Sequence, residues 1–468
     1  MEKYLEFFKE IAAIPHGSTN TKKISDHIVK FAAERGLTYE QDELNNVIIK
    51  KEASKGYEDH ESVILQGHID MVAVKEDGID KDMTTEGLDL YTEGDHLKAK
   101  GTSLGGDDGI AVAYMMDILD GEYEHPALEC LFTVDEEIGM EGATGIDVSG
   151  LKGKRMINID NEVEGEFIVG CAGGVRVNLS RTVNKEEAQG VRVRISVDGL
   201  KGGHSGVEID KKRGNANKIL GDVLCQLKAK GTYNIIDISG GTADNVIPSS
   251  AYADIMLTDA SILSGLDCLT LPFGKEEDPD KAQVHVKVLE EEAKEKVLAG
   301  DDGEMLVDLL CKLPDGVTAF DKDNQDFVET SLNLGILRLD GDKLELESLV
   351  RSSVEDAKNK LVEELCKLAE MKGFITNLYG NYPGWEYKSE SEIRKVFVEA
   401  YEKQYLCKPK IEVIHAGLEC GIFAGKIKDL DCISLGPDIK DIHSVNETLS
   451  LSSARRTFEL LVSALRQL

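Results

Sequence analysis

The chain contains no long apolar run and no closely spaced pair of cysteines. Its apolar runs stay well short of the roughly 18 residues that a membrane-spanning helix needs. Residues 1–10 form an amphipathic pattern without the apolar centre of a signal peptide. The nine cysteines are scattered and include no Cys-x-x-Cys pair. We therefore predict a protein of the reducing cytoplasm, without an export signal, a membrane span or a disulfide framework.

Positive charge is also scarce. Lys and Arg together number 54 against 87 Asp and Glu, so the formal net charge is −33. A surface of this sign repels phosphates and anionic lipids, which argues against nucleic acids and membrane surfaces as partners. At 468 residues the chain exceeds one ordinary hydrophobic core, so we expect two or three domains.

Apolar periodicity divides the chain into two kinds of segment. Residues 1–186 and 388–468 alternate helical patterns with short apolar strands, which is typical of an α/β layer. Residues 187–387 show alternating strands between helices, and we interpret them as an inserted α+β domain. The polar stretch 181–190 and the turn-rich segment 380–385 are the expected connections. The predicted fold is a discontinuous α/β domain with a mixed sheet flanked by helices, interrupted by the α+β insertion.

Acids and a histidine follow the apolar strands of the first segment. His68 comes at the end of one such strand, and Glu137 and Asp160 come directly after two others. In an open α/β sheet, side chains at the carboxyl ends of the strands meet in one crevice. Asp107 and Asp108 lie between glycines in the same part of the chain. We expect these four segments to converge on one charged site.

A second histidine, His443, follows the late apolar run 433–435. Imidazole nitrogens mixed with carboxylate oxygens suit zinc, cobalt or manganese better than calcium, which prefers oxygen ligands alone. Two histidines and three acids would be enough for two ions. The adjacent Glu136 and Glu137 raise each other's pKa unless a cation lies between them, which favours one as a ligand and the other as a general base.

Each of these residues also has an ordinary explanation. His68 and Asp70 could form a surface pair, and Asp107 with Asp108 could simply cap a helix. Adjacent glutamates are common on protein surfaces. The glycines at 105, 106 and 109 favour a ligand, because a cap does not need them. On the metal interpretation, the carboxylate of Asp70 would accept the second ring N–H of His68 and orient the ring.

Two residues of the insertion could take part in chemistry. His204 lies in the glycine-rich turn 199–206, where it is either incidental or a donor to a developing oxyanion. Arg351 follows an apolar strand, where it is either an ordinary ion-paired arginine or a fork for a substrate carboxylate. His285 alternates with valines, and we interpret it as an inward-facing structural residue.

Six motifs occur together along the chain. They are Gly67-His-Ile-Asp70, Gly106-Asp-Asp-Gly109, Asp135-Glu-Glu-Ile-Gly139, Asn158-Ile-Asp160, Gly202-Gly-His-Ser-Gly206 and His415-Ala-Gly-Leu-Glu-Cys-Gly421. In their order and spacing the chain resembles the dinuclear zinc peptidases of the aminoacylase and carboxypeptidase G type. Within that family it is most similar to the bacterial aminoacyl-histidine dipeptidases. The resemblance covers essentially the whole chain.

The resemblance implies two zinc ions in each subunit, for which cobalt or manganese could substitute. The implied ligands are His68 and Asp160 on one ion, Glu137 and His443 on the other, and Asp107 bridging both. The resemblance also implies a cis peptide bond between Asp107 and Asp108. The family more often has Asn at the position of Asp108, whose charge would either raise metal affinity or point away from the ions.

The resemblance further implies the hydrolysis of dipeptides, including Xaa-His dipeptides such as carnosine, by a metal-activated water. Glu136 would be the general base, and His204 would stabilise the oxyanion. The residues implied to contact the substrate are Asn245, Arg351, His415 and Glu419. Many relatives are dimers, so a homodimer is expected, with residues 187–387 as the lid and dimerisation domain. His204 would then act within its own chain or across the dimer.

Two other functions stay open from the sequence. The same set of ligands could serve a deacylase or an exopeptidase that acts on N-acyl amino acids or on longer peptides. A metal-binding protein without catalysis is a different class. A structural zinc site is closed by four ligands and needs no spare base such as Glu136, which argues against that class.

Overall fold

The computed structural model describes residues 2–259, 262 and 281–468. Contacts between residues divide the chain into two compact units. The first unit comprises Met1–Cys171, Tyr387–Val413 and Leu418–Leu468, and the second comprises Ala172–Glu386 and Ile414–Gly417. Among the described residues, no helix combines the length and the apolar character that crossing a membrane requires.

Helices and strands are numbered in chain order. The helices are α1 (Lys3–Ala12), α2 (Lys22–Glu34), α3 (Gly106–Asp120), α4 (Glu141–Gly145), α5 (Ala216–Lys228), α6 (Gly300–Lys312), α7 (Glu355–Glu370), α8 (Glu392–Tyr405), α9 (Glu419–Lys426) and α10 (Leu451–Leu465). The strands are β1 (Thr38–Gln41), β2 (Val47–Lys51), β3 (Val63–His68), β4 (Leu90–Glu93), β5 (His96–Ala99), β6 (Leu128–Thr133), β7 (Arg155–Asn158), β8 (Glu166–Cys171), β9 (Gly173–Thr182), β10 (Lys185–Asp198), β11 (Gly203–His204), β12 (Tyr233–Gly240), β13 (Val246–Ile247), β14 (Ala251–Leu257), β15 (Gln283–Leu298), β16 (Gly316–Phe320), β17 (Val328–Asp340), β18 (Lys343–Ser352), β19 (Ile375–Tyr382), β20 (Lys410–Ile414), β21 (Asp431–Ser434), β22 (Ile439–Lys440) and β23 (Thr448–Ser450).

The first unit is built on a mixed sheet with the strand order β1-β2-β6-β3-β7-β21-β8-β20. Strand β3 runs parallel to β6 and β7, and β21 runs parallel to β7, whereas β1 and β2 join antiparallel. The register pairs Val63 with Leu128 and His68 with Thr133. The strands that precede the candidate ligands therefore end at the same edge of the sheet. A second, four-stranded sheet, β22-β23-β5-β4, was not predicted.

Helix α3 runs through the core of the first unit. Its residues from Ile110 to Leu119 are all buried, which explains why this segment has no polar face. A Cβ at position 109 would lie 3.2 Å from the ring of Phe8 on α1, so Gly109 lets the two helices approach closely. Each large side chain buried in this way contributes about 1.5–3 kcal/mol. The packed helix holds its first residues, which include Asp107, in a fixed place.

The second unit contains an antiparallel sheet with the order β15-β10-β14-β12-β17-β18-β9-β19, and β16 pairs with β17. Helix α5 packs against β10, β14 and β17, while α7 packs against β18, β9 and β19. The buried Val193, Ile195 and Val197 alternate with less buried neighbours along β10, as a strand with one face in the core requires. Strands β17 and β18 form a hairpin, in which Asp340 pairs with Lys343.

The polar stretch 181–190 was expected to connect the two units. It lies within the second unit instead. Strand β9 ends and β10 begins within it, so it joins two strands whose polar ends are exposed. Strand β9 pairs with β18 and β19, and the first unit accordingly ends at Cys171, earlier than expected. Residues 380–382 belong to β19. Whether residues 1–186 with 388–468 and residues 187–387 form independent domains stays a prediction.

The predicted fold class is confirmed. A mixed sheet with helices is interrupted along the chain by a segment that forms an antiparallel sheet with its own helices. Each unit has its own hydrophobic core.

Candidate metal centre and active site

Five segments of the first unit bring acids and histidines together. His68 is the last residue of β3 and is fully buried. Glu137 and Asp160 follow the ends of β6 and β7, the two strands parallel to β3 on either side of it. Asp107 lies at the start of α3, and its backbone is not yet helical. His443 comes from the loop after β22 and has a positive φ of 59°.

The carboxylate of Asp107 lies between two pairs of candidate ligands. Its Oδ1 is 3.1 Å from Nε2 of His68, and the same nitrogen is 3.6 Å from Oδ1 of Asp160. Its Oδ2 is 3.1 Å from Nε2 of His443, which in turn is 3.0 Å from Oε1 of Glu137. The structure therefore brings together all five predicted ligands, with one histidine and one further acid on each side of Asp107.

Charges within this cluster shift the pKa values of its members. Burial alone would raise the pKa of Asp107, but its contacts with His443 and His68 outweigh burial and hold that pKa well below its usual range. The contacts with Asp107 and Glu137 raise the pKa of His443 to about 10. Burial raises the pKa of Asp160 to about 6, although His68 opposes the rise. A buried cluster with more acids than histidines needs further positive charge.

The donor set fits divalent transition-metal ions. Ligand atoms of His68, Asp107 and Glu137 all lie within 4.8 Å of one another, and so do those of His68, Asp108 and Asp160. Nitrogen and oxygen donors in this mixture suit zinc, cobalt or manganese. The first of these two groups contains Glu137 together with His68. The 3.0 Å contact of Glu137, however, is with His443. The shorter contact supports its predicted place beside His443.

Asp108 points towards the backbone of β3. Its Oδ2 accepts a hydrogen bond from the backbone N–H of His68 at 3.2 Å, and the residue is 1% exposed. Burial and the charge of Asp160 raise the pKa of Asp108 well above its usual range, which favours the neutral form. In that form it resembles the Asn expected at this position. The peptide bond between Asp107 and Asp108 is cis, as predicted.

Asp70 differs in detail from the prediction. The Nδ1 atom of His68 lies 3.0 Å from the backbone carbonyl oxygen of Asp70 and 3.5 Å from its carboxylate. The strand ends at His68, so the chain leaves the extended conformation and presents this carbonyl to the ring. The carboxylate instead accepts hydrogen bonds from Ser18 Oγ at 2.8 Å and from the backbone N–H of Glu136 at 3.1 Å. Asp70 thus links the ring of His68 to the segment that carries Glu136.

Glu136 is partly buried beside the cluster. Burial, together with the charges of Asp160, Glu419 and Glu137, raises its pKa well above the usual range, while His68 acts in the opposite direction. A carboxyl group with a raised pKa takes up and releases protons nearer to neutral pH, which is what a general base needs.

Glu419, predicted to contact the substrate, is fully buried at the start of α9. Its Oε2 accepts hydrogen bonds from Thr133 Oγ1 at 2.7 Å and from the side chain of Gln66. Its Oε1 has no hydrogen-bond partner among the described residues. Burial raises the pKa of Glu419 to about 8. One oxygen of this buried group therefore receives no hydrogen bond from the described residues.

Glu447 also belongs to this site, although its sequence context did not predict it. This residue is 4% exposed, and its carboxylate accepts hydrogen bonds from the backbone N–H groups of residues 104–107. No motif marks Glu447 in the sequence. Its one signal is its position four residues after His443.

In the second unit, His204 lies on β11, which pairs with β13. Its Nδ1 accepts hydrogen bonds from the backbone N–H groups of Gly206 at 3.1 Å and Val207 at 3.3 Å. A neutral ring bound in this way carries its hydrogen on Nε2. Burial and the charge of Arg351 lower the pKa of His204, which favours the neutral ring. His204 is thus arranged as a neutral donor.

Arg351 and His415 are close to each other in the second unit. Arg351 is 5% exposed; its Nη1 donates to Tyr382 Oη at 2.8 Å, and its Nε has no hydrogen-bond partner among the described residues. Nε2 of His415 lies 2.7 Å from Ser331 Oγ, and Ser331 is paired with Arg351 across β17 and β18. Burial and the charge of Arg351 lower the pKa of His415 to about 3.

Two further predicted residues can be placed. The backbone carbonyl of Asn245 accepts a hydrogen bond from Ser205 N–H at 2.8 Å, next to His204, and its side chain is half-buried. His285 is exposed, and its Nε2 lies 3.2 Å from Asp198 Oδ1. The prediction of an inward-facing His285 was wrong, because β15 is an edge strand with little covering its valines.

Comparison with known proteins identifies the family of this chain. The sequence profile described as "Peptidase dimerisation domain" matches residues 195–265. The cytosol non-specific dipeptidase of Escherichia coli (strain K12) is 34% identical over 99% of this chain and 97% of its own length. These matches make the chain a peptidase, and it belongs to the M20 peptidase family.

Solved structures agree with this assignment. The aminoacylhistidine dipeptidase of Vibrio alginolyticus aligns with a TM-score of 0.92 and 34% identity, over 100% of this chain and 96% of its own. An aminopeptidase from Bacillus cereus aligns with a TM-score of 0.57 and 16% identity, over 99% of this chain and 98% of its own. The second likeness concerns the fold alone.

Proposed function

We propose that this chain is a metal-dependent dipeptidase that hydrolyses dipeptides, among them Xaa-His dipeptides such as carnosine. The observation that carries the proposal is the carboxylate of Asp107, which has a histidine at each of its two oxygens, a further acid beside each histidine, and Glu136 left over. The names of the relatives from Escherichia coli and Vibrio alginolyticus support the dipeptide as substrate.

Two divalent ions, zinc or in its place cobalt or manganese, would be held by the residues around Asp107. Their ligands would be His68 with Asp160 and Glu137 with His443, each pair sharing Asp107. Bound there, such ions lower the pKa of water and polarise a carbonyl group. The leftover acid argues for catalysis, because a purely structural zinc site has four protein ligands and no spare base.

Glu136 is the proton carrier in this proposal. It takes a proton from the attacking water and later returns it to the leaving amine of the cleaved peptide bond. Its raised pKa suits both steps, since a carboxyl group with an ordinary pKa would hold the proton too weakly to deliver it at neutral pH. Asp70 supports this role by binding the backbone N–H of Glu136.

The second unit supplies groups for the substrate. His204 donates through Nε2 to the oxyanion that forms at the attacked carbonyl. The unpaired N–H of Arg351 suits the terminal carboxylate of a dipeptide, with His415 and Asn245 beside it. Glu419, in the first unit, offers its unpaired oxygen to a substrate N–H. We also propose a cytoplasmic homodimer, which the matched dimerisation profile and the word "cytosol" in the relative's name support.

One panel of assays tests this function. Metal content would be measured on the purified protein, and hydrolysis would be followed with carnosine, other dipeptides, tripeptides and N-acylated amino acids. We expect bound divalent metal and cleavage of dipeptides well above the other classes. Preferred cleavage of tripeptides or of acylated amino acids would replace the proposal with an exopeptidase or a deacylase. Metal without any hydrolysis would indicate a binding protein.

A further inference from the structure

The most extensive hydrogen bonding around the candidate metal centre involves a residue outside the ligand set. Glu447 Oε2 accepts from the backbone N–H groups of Leu104 at 2.7 Å and Gly105 at 3.0 Å. Its Oε1 accepts from those of Gly106 at 2.8 Å and Asp107 at 3.3 Å. Four successive amides of the loop that carries Asp107 thus point at one buried carboxylate.

This contact is more than an ordinary helix cap. A capping residue lies at the start of its own helix, whereas Glu447 reaches the start of α3 from the far end of the sequence. Its segment also carries His443, whose ring contacts the side chain of Asp107. One short segment therefore fixes Asp107 twice, through its backbone by Glu447 and through its carboxylate by His443.

The loop is shaped around this carboxylate. Gly105 has a φ of 66°, a conformation that side chains other than glycine rarely adopt. A Cβ on Gly106 would lie 3.2 Å from Glu447 Oε1, closer than most side-chain contacts. The positive end of α3 also favours a negative group at this place. Gly105 and Gly106, two of the three glycines that were expected to favour a ligand, thus let the loop wrap around Glu447.

We propose that Glu447 is a positioning residue for the metal centre: it holds the loop so that the two oxygens of Asp107 face the two ligand pairs. The inference rests on the proposed function, because it assumes that Asp107 binds metal. Its chemistry requires a carboxylate. A glutamine offers one acceptor oxygen and turns its NH₂ group towards two of the N–H donors, so the loop must shift and carry Asp107 with it.

The test compares Glu447→Gln with Glu129→Gln. Glu129 is also 4% exposed, and it accepts from the backbone N–H groups of Lys152 at 2.9 Å and Gly153 at 2.8 Å. A Cβ on Gly153 would likewise lie 3.2 Å from its carboxylate. Glu129 thus matches Glu447 as a buried carboxylate that binds the backbone of a glycine-containing loop. It lies near the start of β6 and β3, whereas the candidate metal centre lies at their ends.

Metal-free protein would be titrated with zinc in competition with a chromophoric chelator, and bound metal would be counted by elemental analysis. Circular dichroism and thermal melting of the metal-free proteins report folding separately. We expect Glu447→Gln to weaken the affinity for zinc about 10–100-fold, as loss of a group that orients metal ligands does. Glu129→Gln should lower the melting temperature but keep the zinc affinity of the unmodified chain.

Unchanged zinc affinity in folded Glu447→Gln overturns the inference, and so does an equal loss in Glu129→Gln. If Glu447→Gln does not fold, Glu447→Asp decides, because it keeps the charge but is one methylene too short to reach both pairs of amides. Its zinc affinity should fall, and an unchanged value overturns the inference. If the unmodified chain itself binds no zinc, the proposed function fails; if it binds two ions and the variants bind them equally well, only the role of Glu447 fails.

Discussion

The two units gather functional side chains of opposite character. In the first unit, Asp107, Glu137 and Asp160 outnumber the histidines among them, and the cluster suits added cations. In the second unit, burial and the charge of Arg351 lower the pKa of both His204 and His415, so two neutral rings accompany a cation that suits an anion. On the proposed function, a dipeptide would require both, because a metal-activated water would attack its carbonyl and a cation would bind its terminal carboxylate.

Two histidines show how the surroundings create this difference. Contacts with Asp107 and Glu137 raise the pKa of His443 to about 10, whereas burial and Arg351 lower that of His415 to about 3. Both rings begin from the same intrinsic pKa near 6.5. Neighbouring charges and burial decide whether an imidazole is an ion-pair partner or a neutral group.

Metal removal should have the largest effect, because the proposed mechanism requires the ions held by the residues around Asp107. We expect a chelator to abolish hydrolysis of dipeptides and zinc, cobalt or manganese to restore it. Calcium should not restore it, because it prefers oxygen ligands only. Hydrolysis would be measured before and after chelation with metal content determined in parallel. Full activity of protein shown to be metal-free would refute the metal-dependent mechanism.

Glu136→Ala removes the proton carrier and leaves every proposed metal ligand in place. We expect turnover to fall at least about 10²-fold while the Michaelis constant and metal content stay close to those of the unmodified protein. Glu141→Ala, which removes an exposed acid on α4, is the control and should change neither constant. Near-normal turnover of metal-loaded Glu136→Ala would exclude Glu136 as the base.

Mixing two inactive variants tests whether the two clusters can come from different chains. A Glu136→Ala subunit lacks the base of the first unit, and a His204→Ala subunit lacks the donor of the second. If the active site is shared across a homodimer, subunit exchange creates one intact site and activity returns. Each variant exchanged with itself is the control. No recovery despite demonstrated exchange would place His204 in the site of its own chain.

The smallest expected effect concerns pH and the second unit. Burial opposes ionisation of Asp254, but hydrogen bonds from Arg194 and Arg192 outweigh it and lower its pKa. Because the folded pKa lies below the unfolded value near 3.8, this pairing stabilises the protein above that pH and is lost as the pH falls further.

Asp254→Asn should therefore lower the melting temperature at neutral pH and flatten its fall at acidic pH. Melting curves of both proteins at several pH values check this expectation. Asp301→Asn, at an exposed position on α6, is the control. Equal slopes for Asp254→Asn and the unmodified chain below pH 4 would contradict the role assigned to the ion pair.

Local patterns in the sequence were sufficient to predict that acids and a histidine of the first unit lie together. His68, Glu137 and Asp160 follow apolar strands, and the carboxyl ends of parallel strands meet at one edge whatever the rest of the fold. Glu447 has no such local signal, because its partners are backbone amides more than three hundred residues earlier in the chain. The pairing of Ser331 with Arg351 likewise depends on the register of two strands, which alternation of apolar residues does not determine.

The first compact unit ends at Cys171, before the polar stretch that was expected to connect the two domains. Polar residues at 181–190 indicated a linker, but two exposed strand ends carry the same composition. Asp70 shows the limit at a finer scale. Its spacing from His68 suggested one extended strand, but β3 ends at His68, and the ring lies closer to the backbone carbonyl of Asp70 than to its carboxylate.

The placement of His443 and Glu447 on one late segment has a consequence for biosynthesis. A ribosome must translate the whole second unit and all of the first unit up to residue 442 before either residue exists. A nascent or prematurely terminated chain that ends before residue 443 has only one histidine in the centre and nothing to bind the loop at Asp107. On the proposed function, a chain that stops before residue 443 should therefore not hydrolyse dipeptides.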